Sequence, residues 1–186
     1  MRDSLNNKML GATLLSGVLS GISLLIIPGA VFVGPGILFG LATGWVFRTF
    51  KWLDLGQVVV WVIASAAAWY LAMRTYTYTG DQAFSFFSNG QLGNMLPAGL
   101  VGSLMVGVVF SLLIRKVSLK NIIITAVSGI ILAYVMYLIL NWGAMVNPYG
   151  NESPEGLPQL KLAVAFAAWQ IGIGFSLLAY KRRSFN

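Results

Sequence analysis

Between Lys8 and Arg48 the chain carries no charged residue. That stretch is too long for one membrane crossing, which takes about 20 apolar residues because the hydrocarbon core is roughly 30 Å thick. It is also too apolar to surface a water-soluble fold. The remainder has the same character. Of 186 residues, 58% are hydrophobic and only 9% charged, with a mean hydropathy of +0.80, whereas a soluble domain carries roughly a quarter charged residues. Lipid is therefore the expected solvent, and residues 1–186 are expected to form one transmembrane domain.

The expected architecture is an all-α, polytopic transmembrane helix bundle of six spans. The apolar runs cover about residues 9–27, 35–50, 57–73, 97–114, 121–140 and 160–180. Pro28-Gly29 and Gly34-Pro35-Gly36 divide the first two, since proline and glycine both end helices and favour turns. With the amino terminus inside, the cytoplasmic segments hold Arg2, Lys8, Arg48, Lys51, Arg115, Lys116, Lys120, Lys181, Arg182 and Arg183. The outer segments hold only Arg74 and Lys161. Excess Lys and Arg marks cytoplasmic loops, so both termini are expected there, in a multi-pass protein of the cell membrane. The acidic residues divide as Asp3 and Asp54 inside, Asp81, Glu152 and Glu155 outside. Trp45, Trp52 and Tyr180 fall near one boundary, and Trp69, Tyr70, Trp142 and Tyr149 near the other, as an aromatic belt would. Arg2 and Lys8 before an apolar run resemble a secretory signal, but the run is long and no clean cleavage site follows. An uncleaved first helix is expected.

Composition excludes much chemistry. The chain has no cysteine and no histidine, so Cys/His zinc sites, His-ligated haem and Ser-His or Cys-His nucleophiles are ruled out. No metal or cofactor is expected. The formal charge of +7 lies in the gaps between apolar runs rather than on one polar face, which points to topology and not to nucleic acid. No Asp, Glu, Lys or Arg lies near the middle of any run. Such residues mark proton relays and ion-coupled transport, so their absence argues against a pump, and the lack of an activating base argues against an enzyme.

Two outer loops are long. In the first, residues 74–96, Asp81 and Gly90 are placed to cap a short surface helix with Phe84 and Phe87 on one face. The second, residues 141–159, is expected to be irregular. Its Asn151-Glu152-Ser153 is formally a glycosylation acceptor, weakened by Pro154. Gly107 to Lys116 and Gly172 to Lys181 both read Gly-x-x-Phe-Ser-Leu-Leu-x-x-Lys; chance in a chain rich in Gly, Ser and Leu is the plain expectation, and duplication the alternative.

Small residues recur every fourth position, among them Gly17 and Gly21 in run one and Gly36, Gly40 and Gly44 in run two. Helix association in lipid depends on close packing over small side chains. Packing within the bundle is the plain expectation, and a partner-docking face on run two the sharper one. The break at Gly34-Pro35-Gly36 is expected to be a helix start, since proline favours the first turn; a half-helix aimed at a ligand is the alternative. Polar groups at depth are Gln170, with Trp169 beside it, and Tyr134 and Tyr137. An amide in hydrocarbon must find a partner, so Gln170 is expected to face the interior, bridging helices or binding a ligand. These four are the candidate ligand residues. Two functions follow: a solute-binding or permease subunit for an uncharged or apolar molecule, or a structural subunit of a larger membrane complex. Beyond the bilayer, other membrane subunits or further copies of the chain are the expected partners.

Overall fold

A computed structural model of the protein describes residues 2–26, 32–82, 90–115, 117–146 and 158–180. They are helical almost throughout: α1 (Arg2–Ile26), α2 (Gly34–Thr49), α3 (Leu55–Gln82), α4 (Gly90–Leu113), α5 (Leu119–Val146) and α6 (Pro158–Leu178). Four of these contain stretches long and apolar enough to cross a membrane, namely Leu55–Tyr78, Leu92–Leu113, Leu119–Asn141 and Leu160–Leu178.

Local chemistry sets the ends at the α2–α3 turn. Lys51 takes a left-handed φ of 58°. Its N–H reaches the Arg48 carbonyl at 2.9 Å, and the Trp52 N–H reaches Phe47 O at 2.8 Å. This pair of bonds absorbs carbonyls that a helix end otherwise leaves open, and an apolar contact usually accompanies it. Here that contact is Trp52 stacked on Phe47, with centroids 5.4 Å apart. Asp54 then opens α3: its Oδ1 accepts the Gln57 N–H at 2.8 Å, while Gln57 Oε1 accepts the Asp54 N–H at 2.9 Å. Such a reciprocal pair satisfies two donors that the first turn cannot. Gln57 Nε2 also donates to Leu113 O at 2.9 Å, tying the start of α3 to the end of α4.

Two expectations about the outer segments are corrected. Residues 74–82 continue α3, and α4 starts at Gly90 with Pro97 inside it. Asp81 is thus near the end of one helix and Gly90 opens the next, rather than the two capping a separate surface helix. Extending a formed helix adds a hydrogen bond per residue, whereas starting a new one needs a costly nucleus. Phe84, Phe86 and Phe87 lie outside the described residues, as do Tyr149, Asn151, Glu152 and Glu155.

Each helix packs on its chain neighbours, and α6 returns to α1, closing a ring of six. Adjacent helices run antiparallel, as the descending pairs show: Gly17 with Ala167 and Gly21 with Ala163, then Gly40 with Val62 and Gly44 with Val58. The closest seams are made by glycine. A Cβ on Gly17 would lie 2.6 Å from Ala167 N, and one on Gly21 2.5 Å from Ala163 Cα. On Gly99 it would lie 2.5 Å from Gly129 O. Backbones this near exclude any side chain, and in lipid such contact supplies much of the association energy.

The alternation gathers Arg2, Lys8, Arg48, Lys51, Arg115 and Lys120 at one end of the ring, with Arg74 and Lys161 toward the other. Lys116 and residues 181–183 lie outside the described set. Outward faces are apolar: Leu14, Leu15, Leu41, Ile63, Ile123 and Ile131 are all exposed.

Candidate functional site

The interior is a column of aromatic rings. Trp69 packs on Phe166 at 5.3 Å and edge-on to Trp169 at 5.6 Å. Trp169 meets Phe39 at 6.2 Å, and Phe39 meets Trp61 at 6.3 Å. Trp61 is edge-on to Phe110 at 5.3 Å, and Phe110 to Tyr180 at 5.4 Å. Edge-to-face pairs place the positive rim of one ring on the negative face of the next. Their polar tips find partners: Trp61 Nε1 donates to Thr43 Oγ1 at 2.9 Å, and Tyr180 O–H to Gly107 O at 3.1 Å. Trp69 and Tyr180 are therefore core residues rather than belt anchors, both buried against neighbouring rings. Trp45, 68% exposed, and Tyr70 do face outward.

Beside this column sits a polar node. Gln170 is 0% exposed on α6. Its Oε1 accepts the Ser16 hydroxyl; its Nε2 donates to Ser20 Oγ at 2.9 Å and to Pro35 O at 3.4 Å. One amide thereby joins α1, α2 and α6. Pro35 lies in the first turn of α2, so the Gly34-Pro35-Gly36 break is where the node meets that helix. Both serines keep other acceptors: Ser20 donates to Ser16 O at 2.7 Å and Ser16 to Thr13 O at 3.3 Å. A hydroxyl that bonds its own helix is satisfied without its neighbour, so Gln170 can exchange its serine partners at small cost. Ser16 and Ser20 were not singled out from sequence. The signal was present, in Thr13, Ser16, Gly17, Ser20 and Gly21 forming one broad small-residue face.

The four candidate ligand residues do not converge. Trp169 serves the aromatic column while Gln170, its chain neighbour, serves the node. Tyr134 is 46% exposed and stacks on the buried Tyr137, centroids 6.4 Å apart, on α5. The side chain of Tyr134 is turned outward, away from the node. The Gly36, Gly40 and Gly44 stripe is buried against α3, with Cβ positions 2.8 Å from Ala66 Cα and Val62 Cα and 3.1 Å from Val58 Cγ1. The stripe is thus covered within the chain, and Gly17 and Gly21 are covered by α6 in the same way. The matched decapeptides occupy unlike settings, for Phe110 is in the core and Phe175 exposed. Among the described residues no three His, Cys, Asp or Glu side chains are placed to hold a metal ion.

No protein-family model matches the chain, and neither does any curated protein or solved structure.

Proposed function

We propose that this chain is a non-enzymatic, six-span membrane protein with its basic end and both termini cytoplasmic. Its task is to bind an uncharged, hydrogen-bonding small molecule at the Gln170 node, as a solute-binding or permease subunit. The six crossings rest on the ring. α1 and α2 are seamed antiparallel along helices long enough to span, so they share the same depth. α2, at 16 residues, is about 24 Å long at 1.5 Å per residue, a short but workable span. The cysteine-free sequence allows a direct test. Lys51→Cys and Thr77→Cys, labelled by an impermeant maleimide in sealed vesicles, react from opposite sides; labelling of both from one side defeats the topology.

The observation that carries the solute reading is the exchangeable node. Gln170 offers a donor and an acceptor whose present partners have fallback acceptors in their own helix. A ligand with matching groups replaces Ser16 and Ser20 without leaving a buried hydroxyl bare, which otherwise costs about 1–3 kcal/mol. The test is purification in mild detergent followed by extraction and identification of the bound small molecule. Gln170→Leu is expected to lose it while still folding. If that variant melts lower but retains the same molecule, the amide is a structural bridge and the solute reading fails.

A further inference from the structure

We infer that the basic end of the α1–α2 seam is a binding site for a single anionic phospholipid, an inference that rests on the membrane reading above. Phe50 closes α2 between Arg48 and Lys51, and Lys8 Nζ stands 5.5 Å from its ring centroid. Three cations from two helices are thereby brought around one turn. A cation over an aromatic face is held by the ring quadrupole, which fixes Lys8 toward α2 rather than leaving it free in solvent. Lys51 is held in turn by the left-handed end of the helix.

Among the described residues none of these three cations makes an ion pair. Asp54, the carboxylate nearest in sequence on the α2 side, already accepts the Gln57 N–H. Asp3 lies five residues before Lys8 on α1, around the far side of the helix from it. Arg48 complements the negative carboxyl end of α2, but that role does not explain Lys8, which is at the amino end of α1. Such a cluster presents three positive charges to one anion at the membrane surface.

The surface beneath them fits a lipid in particular. Trp45, on the outward side of α2 one turn before Arg48, sits where an amphipathic ring meets the glycerol level, and Leu41 continues that face. On α1 the face below Lys8 begins with Gly11, where an added Cβ would meet nothing within 4 Å, and continues with Leu15, 61% exposed. A phosphate is received by Lys8, Arg48 and Lys51, and an acyl chain lies along Leu15 and Leu41.

The test is native mass spectrometry of the full chain, released from neutral detergent after exchange with equimolar phosphatidylglycerol and phosphatidylcholine. One phosphatidylglycerol is expected to be retained in preference. Removing each cation is expected to weaken retention about fivefold, so the triple Lys8→Gln, Arg48→Gln, Lys51→Gln variant abolishes it. The double Arg115→Gln, Lys120→Gln variant, at the same end but in the turn after α4 and on α5, keeps it. Equal retention of both lipids by the wild type overturns the proposal, and so does an equal loss from the control double, which would mean diffuse attraction without a site. A chain that stays soluble without detergent and retains neither lipid defeats the membrane reading instead.

Discussion

Two alanines placed six residues apart on α1 are expected to act with opposite signs. At Gly17 the new Cβ falls 2.6 Å from Ala167 N and still nearer its Cα. Those are backbone atoms of a facing helix, so no rotamer change relieves the clash and the seam must open. Overpacking of this kind typically costs about 1–3 kcal/mol, while replacing helical glycine by alanine returns about 1 kcal/mol. The net expectation is a loss of up to about 2 kcal/mol. Gly11 offers open space on the same helix, so Gly11→Ala keeps only the propensity gain, up to about 1 kcal/mol. Adding Gly21→Ala to Gly17→Ala should cost less than the sum, because one separation of the helices relieves both contacts. Equilibrium unfolding in a single neutral detergent measures all four variants. Two destabilised alanines of similar size, or two neutral ones, would refute the close seam between α1 and α6.

Other expectations follow from helix ends. Gln57→Ala removes the side-chain half of the cap, the Oε1 that accepts the Asp54 N–H, together with the bond to Leu113 O, for a loss of about 1–2 kcal/mol. Gln57→Glu keeps an acceptor for the cap but has no donor for Leu113, so its loss in the same unfolding assay should be smaller. Arg115 holds a φ of 51° at the end of α4, a conformation costing a non-glycine residue about 1–2 kcal/mol. Arg115→Gly is expected to raise stability by up to about 1 kcal/mol, read as an upward shift of the unfolding midpoint.

The helices were legible because charge and hydropathy mark them directly: lipid punishes a misplaced Lys or Arg, so the gaps declare themselves. The small-residue stripes were legible too, since position four returns to one face. Which neighbour each stripe meets was not, because pairing depends on ring order, and nothing in Gly36, Gly40 or Gly44 says α3. The extension of α3 past Arg74 was hidden by Thr and Tyr residues that suit a helix as well as a loop. Trp69 and Tyr180 were misplaced for a related reason: position along a span gives depth, while the side facing inward depends on neighbours not yet known. At the node, Gln170 stood out as an amide in an apolar run, whereas Ser16 and Ser20 were disguised by a chain full of small residues.

Ring closure has a consequence for biogenesis. α1 is made before the other five helices, yet the one it fits most closely is α6, which is made after them. In the interval its inward serines and threonine have no glutamine to meet. They need none, because Thr13 and Ser20 already donate to Met9 O and Ser16 O at 2.7 Å. The helix thus carries these hydroxyls without a bare donor before α6 is made, and α6 acts as a latch that joins the two sides of the ring.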